Sequence, residues 1–305
     1  MIILHKSKGI LVFLGLTGVV FLAATGILGQ SFSDSGVLAA SVQEAASTIV
    51  ITETRETSVQ QLPREIIVPP KQIEAIAAIS LEVGKTGQKT IFEKSATKTL
   101  PIASLTKLMT ALVVMERYNL AQKITINEAA MAEEGDQGEL KTGQIFSVKS
   151  LLYIMLMESS NRAAFALADA MGLKQFVALM NENAKILDLS NTHFIDSTGL
   201  SEKSSSSAHD VAVLSAYLFE NYPLFKEIVG TREIAIYLED GPFHHKAVIT
   251  NSLLGTDNII GGKTGYTDLA EGCFMVLQKT GGDEYMVHVI LGAKDRVAQM
   301  QKLIK

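Results

Sequence analysis

The chain has 305 residues, of which 47% are hydrophobic and 19% charged, which supports a sizeable core and excludes a disordered or low-complexity polymer. The formal net charge of −5 argues against a nucleic-acid-binding protein, which normally carries an excess of Lys and Arg. The single cysteine, Cys273, excludes an intramolecular disulfide and any cysteine-rich metal site. The histidines show no HExxH spacing, so we expect no metal or other cofactor, and we expect the pair His244-His245 to lie in a loop.

The first thirty residues predict export from the cytoplasm. Residues 9–29 form an uncharged apolar run that follows His5, Lys6 and Lys8. A basic start before an apolar segment keeps the N-terminus in the cytoplasm and exports the rest of the chain. The run exceeds the core of a cleaved signal peptide, about 7–15 residues, and is close to a membrane span of about 20. We therefore expect residues 1–30 to be a membrane anchor, with a cleaved signal peptide as the alternative.

Residues 31–70 are predicted to be a flexible linker. They are rich in Ser, Thr, Gln and Glu and show little helical or strand periodicity. The last part of this segment holds Pro63, Pro69 and Pro70, as is typical of a tether. We expect the globular domain to cover residues 71–305.

The hydrophobic patterns after Pro70 predict strands at both ends of this domain and helices between them. The predicted strands cover residues 75–83, 89–94, 271–279 and 284–291, the last two joined by a turn. The predicted helices cover residues 104–118, 147–158, 163–171, 173–187 and 293–305, with a further helix that begins at a capping box of Ser207 and Asp210. This order predicts an α+β domain whose terminal strands share one antiparallel sheet.

The segment 104–107 (SLTK) is the first candidate for chemistry. Positions i and i+3 are neighbours on a helix, so the Ser104 hydroxyl and the Lys107 amine can come within hydrogen-bond distance. A serine hydroxyl is a poor nucleophile unless a base removes its proton. Lysine is such a base only when burial or a second cation lowers its pKa well below about 10.4. The pattern alone is common, and a pair on a helix surface is its usual explanation, but the apolar run 108–115 indicates a buried helix.

Lys-Thr-Gly occurs four times, beginning at Lys85, Lys141, Lys263 and Lys279. At least three copies must be structural, and turns explain them. Only the third is preceded by two glycines and leads to a predicted strand, where a substrate backbone has room to lie against the strand edge. Lys263 is therefore the candidate.

Ser159-Ser160-Asn161 separates two predicted helices. By itself this tripeptide is explained as a helix stop and N-cap, because Ser and Asn are both favoured there. Taken in chain order, however, Ser-x-x-Lys, Ser-x-Asn and Lys-Thr-Gly are the motif set of the penicillin-recognising serine acyltransferases.

Within that group the sequence resembles the D-alanyl-D-alanine carboxypeptidases, low-molecular-mass penicillin-binding proteins of serine peptidase family S11. The resemblance covers roughly residues 72–305 and rests on long stretches at residues 101–113, 152–169, 196–214 and 262–273. It implies the β-lactamase/transpeptidase-like (DD-peptidase) fold, with helices on both faces of an antiparallel sheet. It also implies removal of the terminal D-Ala from peptidoglycan stem peptides, with β-lactams as covalent inhibitors and no cofactor.

The resemblance implies roles for the residues of the first two motifs. Ser104 is the acylated nucleophile, and Lys107 is the base that activates it. Ser159 passes a proton to the leaving amine, and Asn161 holds the substrate amide.

The third motif is implied to bind the substrate. Lys263 attracts the terminal carboxylate together with Thr264, and its positive charge helps to lower the pKa of the base. Gly265 and Tyr266 complete the binding segment, and the backbone N–H groups of Ser104 and Tyr266 form the oxyanion hole.

Two positions depart from the family pattern. Arg162 stands where the family more often has an acidic residue, so we expect a different charge in the cleft. Asp196 stands where many members have Asn, and we expect little effect. Cys273 is expected to be a buried, inert thiol.

Other activities use the same motifs. A D,D-endopeptidase attacks the same D-Ala carbonyl, so the motifs do not separate it from a carboxypeptidase. A class A β-lactamase needs a further Glu for deacylation, and we find no convincing Glu-x-x-x-Asn segment between Ser159 and Lys263. An inactive wall-binding homologue would lack the nucleophile or the base, and both are present. We expect a carboxypeptidase at the extracytoplasmic face of the cytoplasmic membrane, anchored through residues 9–29 or secreted if that segment is cleaved.

Overall fold

The computed structural model of the protein describes residues 72–85 and 87–305. The expected anchor, residues 1–30, and the expected linker, residues 31–70, lie outside the described residues. No single helix of the described part is long and apolar enough to cross a membrane; one pair of consecutive helices, Asn161–Asp169 and Leu173–Ile186, meets the criterion only jointly and is bent by 100°.

Long strands lie at both ends of the described domain with helices between them, as the hydrophobic patterns predict, and further short strands lie among the helices. The strands are β1 (Ala77–Gly84), β2 (Gly87–Lys94), β3 (Leu100–Pro101), β4 (Lys123–Thr125), β5 (Ile145–Ser147), β6 (Ser205–Ser206), β7 (Glu233–Tyr237), β8 (Phe243–Val248), β9 (Ile259–Thr267), β10 (Glu271–Gly281) and β11 (Glu284–Ala293). The helices are α1 (Thr106–Arg117), α2 (Glu128–Met131), α3 (Val148–Met157), α4 (Asn161–Asp169), α5 (Leu173–Ile186), α6 (Ala208–Asn221), α7 (Pro223–Val229) and α8 (Arg296–Ile304). A 3₁₀ turn, Ala103–Leu105, leads directly into α1.

Five long strands form one antiparallel sheet in the order β2-β1-β11-β10-β9. β1 and β11 come from opposite ends of the domain and pair from Ala77 opposite Leu291 to Val83 opposite Tyr285. The prediction that the terminal strands share one sheet is therefore confirmed. The predicted hairpin β10-β11 is also present, and each of its strands continues two residues beyond the predicted end.

The sheet carries helices on both faces. Successive residues of a strand point to opposite faces, and accordingly Ile79 of β1 lies in the main core while Ala78 lies in a second, smaller apolar cluster. The main core includes α1, α3 and α6, whereas α8 closes the second cluster with Met300 and Leu303. The expected α+β architecture is confirmed.

Helix α1 is the buried helix that the apolar run predicts. Every residue from Thr106 to Val114 is buried, and α1 contacts α3, α4, α5 and α6. Because the helix is enclosed, the charged end of Lys107 must find its polar partners inside the protein.

The break between α3 and α4 presents the second motif. Ser159 has a φ of 64°, in the left-handed region that ends a right-handed helix. Ser160 caps α4, because its hydroxyl accepts a hydrogen bond from the Ala163 N–H at 3.2 Å. The helix stop and N-cap read from the sequence are therefore present, and the break also exposes Ser159 and Asn161 at a cavity wall.

The third motif lies within a strand that the sequence patterns do not predict. Lys263, Thr264 and Gly265 belong to β9 and do not merely precede a strand. Glycines at positions 261, 262 and 265 have low strand propensity and no side chain to show an alternating pattern. Pairing with β10 therefore decides this strand.

The histidine pair corrects another expectation. His244 and His245 lie in β8, which pairs with β7, and not in a loop. His245 occupies an inward position, where it is 6% exposed. A polar residue at a buried strand position is stable only with a partner, and that partner, Glu158, is far away in the sequence.

Candidate active site

The three motifs meet at one cavity of about 270 Å³. Ser104 comes from the 3₁₀ turn, Ser159 and Asn161 from the α3–α4 break, and residues 264–266 from β9. The described part of the protein also has larger cavities, of about 520 Å³ and 430 Å³, whose walls contain neither motif serine. The residues that line a cavity therefore identify the site better than the volume of the cavity does.

Ser104 and Lys107 are neighbours because of the local helical geometry. Lys107 is in the first turn of α1, and its Nζ lies 2.9 Å from Ser104 Oγ. The i, i+3 contact that the sequence predicts is present, but Lys107 is fully buried and does not form a surface pair.

Two carbonyl-type oxygens occupy the remaining directions around Lys107 Nζ. Asn161 Oδ1 lies at 2.6 Å and the Thr198 carbonyl at 2.7 Å. The Asn161 side-chain orientation follows from its other end, since Nδ2 donates to the Glu134 carbonyl at 2.8 Å. Both oxygens only accept hydrogen bonds, so a neutral amine donates its two N–H groups to them and turns its lone pair towards Ser104. This geometry suits a base that takes the Ser104 proton.

The surroundings of Lys107 adjust its pKa in two opposing ways. Burial lowers the pKa of Lys107 from 10.5 to about 7, because the ammonium loses its hydration. The negative charges of Asp196 and Glu133 raise it, because they favour the ammonium form. A lysine with a pKa near 7 is partly neutral at neutral pH, as a general base requires.

Lys263 contacts the other motif serine. Its Nζ lies 2.7 Å from Ser159 Oγ and 2.7 Å from the Thr264 carbonyl. Thr264 Oγ1 in turn donates to Thr250 Oγ1 at 2.8 Å. Each buried lysine of the site therefore contacts one serine of the cavity.

The pKa of Lys263 is lowered well below its ordinary value, first by burial and then by the positive charges of Lys107 and Arg296. The expectation was that Lys263 would help to lower the pKa of Lys107. Burial is the largest cause of the lowered pKa of Lys107. Repulsion between two ammonium groups is mutual and disfavours the charged form of each, so the effect of Lys263 on Lys107 stays a prediction.

Gly265 allows the edge strand β9 to approach the start of α1. A Cβ at this position would lie 3.0 Å from the Ser104 backbone nitrogen and 3.2 Å from the Ile102 carbonyl oxygen. Tyr266, the next residue, is 60% exposed. The two segments expected to supply oxyanion-hole N–H groups therefore lie side by side, and an edge strand can pair with an extended ligand.

Sequence reasoning missed residues that hold the motifs from outside. Arg296 opens α8, and its Nη1 donates to the Gly265 carbonyl at 2.9 Å. The contact of Thr198 with Lys107 is made by a backbone carbonyl, which no side-chain pattern reveals. The sequence carries one signal, the glycine at position 199, and the structure explains it: φ there is +82°, and a Cβ would collide with the carbonyl oxygen of Ala103.

The histidine pair supports the α3–α4 break. Glu158 lines the cavity, and its Oε2 lies 2.8 Å from His245 Nε2. Burial raises the pKa of Glu158, although the contact with His245 opposes this. His245 Nδ1 lies 2.6 Å from His244 Nδ1. Among residues 72–85 and 87–305, no group of three or more His, Cys, Asp or Glu side chains is placed to hold a metal ion.

Arg162 and Cys273 do not contribute to the cavity wall. Arg162 Nε donates to the Glu133 carbonyl at 3.4 Å, and Arg162 is not among the residues that line the cavity. Arg162 therefore does not add its positive charge to the cavity wall, contrary to our expectation. Cys273 is a free, buried thiol whose pKa burial raises to about 11. The expectation of a buried and unreactive thiol agrees with this.

Comparison with known sequences places these motifs in one family. The profile of the D-alanyl-D-alanine carboxypeptidases (peptidase S11) matches residues 64–295. D-alanyl-D-alanine carboxypeptidase DacF of Bacillus subtilis is 33% identical over 246 residues, which are 76% of this chain and 61% of that protein. D-alanyl-D-alanine endopeptidase of Escherichia coli is 33% identical over 211 residues, 67% of this chain and 68% of that protein. The chain thus spans about three fifths of the Bacillus relative.

Solved structures share the fold. The Streptomyces K15 DD-transpeptidase superposes with a TM-score of 0.71 at 28% identity, covering 78% of this chain and 98% of that chain. A D-alanyl-D-alanine carboxypeptidase from Mycobacterium tuberculosis H37Rv superposes with a TM-score of 0.71 at 26% identity, covering 77% and 91%. The expected DD-peptidase fold is confirmed.

Proposed function

We propose that this chain, which belongs to the D-alanyl-D-alanine carboxypeptidase family, is a serine peptidase that removes the terminal D-Ala from peptidoglycan stem peptides. The observation that carries the proposal is the 2.9 Å contact between Ser104 Oγ and the amine of Lys107. The pKa of that amine, about 7, allows it to accept a proton near neutral pH.

Acylation begins at Ser104. Its Oγ bonds to the D-Ala carbonyl carbon while its proton moves to the lone pair of Lys107. The new ammonium is stabilised by hydrogen bonds to Asn161 Oδ1 and the Thr198 carbonyl. The N–H groups of Ser104 and Tyr266 stabilise the negative charge on the substrate oxygen.

Departure of D-Ala requires a proton on its nitrogen. As the C–N bond breaks, the Ser159 hydroxyl donates its proton, and Lys263, 2.7 Å away, is placed to replace it. The peptide remains on Ser104 as an ester. Lys107 gives up the proton that it took from Ser104, which restores the proton lost by Lys263, and the neutral Lys107 then takes a proton from the attacking water. As the ester C–O bond breaks, that proton returns to Ser104 Oγ, and the shortened peptide and the starting enzyme are released.

Substrate binding is assigned to β9. Lys263 and Thr264 attract the terminal carboxylate of the stem peptide, and the backbone of Gly265 and Tyr266 lies along its extended chain. A β-lactam carries a carboxylate and a reactive carbonyl in the same arrangement, which supports its proposed action as a covalent inhibitor.

A D,D-endopeptidase is the alternative, supported by the name of the Escherichia coli relative. Both activities attack the same D-Ala carbonyl and differ only in the amine that leaves. An inactive wall-binding homologue is less well supported, because the Ser104–Lys107 contact is complete.

The proposed place of action is the extracytoplasmic face of the cytoplasmic membrane, where peptidoglycan is accessible. The support is the basic start and the apolar run at residues 9–29, followed by a tether over residues 31–70. If the apolar segment is cleaved, the domain over residues 71–305 is secreted.

Intact-mass analysis with benzylpenicillin tests the proposal. The full chain, kept in detergent because of its apolar segment, should gain one penicilloyl group, and Ser104→Ala should gain none. D-Ala release from a linear pentapeptide, with no cleavage of a cross-linked dimer, then selects the carboxypeptidase. A wild-type protein without an adduct would contradict the proposal if the drug stays intact, and drug hydrolysis would indicate a β-lactamase instead.

A further inference from the structure

The loop between α5 and β6 is organised around one carboxylate. Asp196 Oδ1 accepts hydrogen bonds from the Thr198 N–H at 2.7 Å and from the Gly199 N–H. Asp196 Oδ2 accepts from the Ser201 N–H at 2.7 Å. Three backbone donors within five residues therefore converge on a single side chain.

This loop is packed tightly against the start of α1. The Thr198 carbonyl accepts from Lys107 Nζ at 2.7 Å, and the preceding Ser197 carbonyl accepts from the Thr110 hydroxyl at 2.7 Å. Gly199 follows with a φ of +82°, where a Cβ would collide with the backbone next to Ser104. The conformation of the loop thus decides whether a carbonyl oxygen reaches Lys107.

We propose that Asp196 is a positioning residue for the acylation of Ser104: its carboxylate holds residues 197–201 in the conformation in which the Thr198 carbonyl binds an N–H of Lys107. The amine then keeps its lone pair directed at Ser104. Asp196 itself touches no reacting atom. The inference rests on the proposed role of Lys107 as base, and it replaces the expectation that Asp in place of Asn has little effect.

Asparagine cannot reproduce this arrangement. Both oxygens of Asp196 accept from backbone N–H groups, whereas an Asn side chain offers one acceptor oxygen and one NH₂ donor. In either orientation of the amide, donors would face donors on one side of the loop. The Thr198 and Gly199 amides are buried, so water cannot easily replace the lost hydrogen bonds.

The charge of Asp196 has a second, separable effect. Its negative charge is the larger of the two that raise the pKa of Lys107, and Glu133 is the other. Lys263 is a further charged neighbour. It is buried, and the charge of Lys107 lowers its pKa. Removing the charge at position 196 therefore lowers the pKa of Lys107 further. The acidic limb of the acylation rate should then move to lower pH, which a purely structural role would not cause.

The test measures the second-order rate of acylation of the full chain by a chromogenic cephalosporin between pH 5 and pH 9. For Asp196→Asn we expect the plateau rate to fall roughly tenfold or more, as for a misplaced catalytic group, and the acidic limb to move to lower pH. For Asp196→Ser, whose hydroxyl can accept from nearby N–H groups without a charge, we expect the same movement with part of the plateau recovered.

Glu133→Gln is the matched control. It removes the second carboxylate charge near Lys107 but no hydrogen bond of the Asp196 loop. Its acidic limb should also move to lower pH, while its plateau should stay within about twofold of wild type, a change well below that of a misplaced catalytic group.

Three results would overturn the proposal. The first is an Asp196→Asn variant with the plateau and the limb of wild type. The second is a loss of rate at position 196 with no movement of the limb, which would assign a structural role only. The third is failure of both Asp196 variants to fold, judged by circular dichroism, while Glu133→Gln folds. A wild-type protein that is not acylated would contradict the proposed function instead, so the two failures are distinguishable.

Discussion

The site contains two buried lysines that differ in the other charges beside them. Lys107, at the start of α1, lies near two carboxylates that raise its pKa against the effect of burial. Lys263, on the edge strand β9, lies near two cations that lower its pKa in addition to burial. Two residues of the same type and the same burial therefore differ in how easily they hold a proton. In the proposed mechanism, placement and not residue type decides which lysine accepts the Ser104 proton.

The two lysines also differ in their hydrogen-bond partners. Lys107 has two fixed carbonyl-type acceptors besides Ser104. Lys263 has the hydroxyl of Ser159 and the carbonyl of its own neighbour, Thr264. Lys107 is therefore held in one orientation for the proposed proton transfer. The amine of Lys263 can regain a proton when a carboxylate binds beside it, because a nearby negative charge raises the pKa of an amine.

Replacing Lys107 should have the largest effect on the rate of acylation. Lys107→Met should lower the rate of acylation by roughly 10³-fold, the scale of a lost general base. Its thermal stability should fall, because Asn161 Oδ1 and the Thr198 carbonyl lose their buried hydrogen-bond donor. Acylation kinetics and thermal unfolding measure the two effects. A variant that acylates within about tenfold of wild type would exclude Lys107 as the base.

Replacing Lys263 has a smaller expected effect, and the chain offers its own control. Lys263→Met should lower the rate by roughly 10²-fold, because proton delivery through Ser159 and carboxylate binding are both impaired. Lys279→Met changes the fourth copy of the same tripeptide, at the exposed end of β10, and should leave the rate unchanged. Equal rates for the two variants would argue against the assignment of β9 as the binding strand.

The pH profile sharpens the difference between the lysines. The acylation rate of the wild-type protein should rise with pH through about 7, as Lys107 becomes neutral and able to accept a proton. The sign follows from the role, because a base is active only when deprotonated. A rate that falls as pH rises through this range would mean that the active form of Lys107 is the ammonium.

Replacing Arg296, which lies near Lys263, should have the smallest effect on the rate of acylation. Arg296→Gln removes a positive charge that lowers the pKa of Lys263 and a hydrogen bond to the Gly265 carbonyl. We expect a loss of acylation of a few fold, below the effect of a lost general base, with the acidic limb unmoved, because Lys107 controls it. Stopped-flow acylation over a pH series measures both quantities, and a shifted limb would show that Arg296 acts on Lys107 as well.

Local patterns in the chain determined the elements that their own residues stabilise. The apolar run after Ser104 predicts the buried helix α1, and the i, i+3 spacing brings Ser104 to Lys107 without help from the rest of the molecule. Strands at both ends of the domain predict the shared sheet, because β1, β10 and β11 contain continuous buried apolar runs. The motif set identified the family before any geometry was known.

Tertiary structure alone decided what these elements meet. It placed the third Lys-Thr-Gly inside a strand by pairing β9 with β10, and it brought His245 to Glu158. It also brought the Thr198 carbonyl and the charge of Asp196 to Lys107. The physical reason is that periodicity records how a segment is buried, whereas a backbone carbonyl or a charge from a distant segment leaves no periodic trace in the sequence.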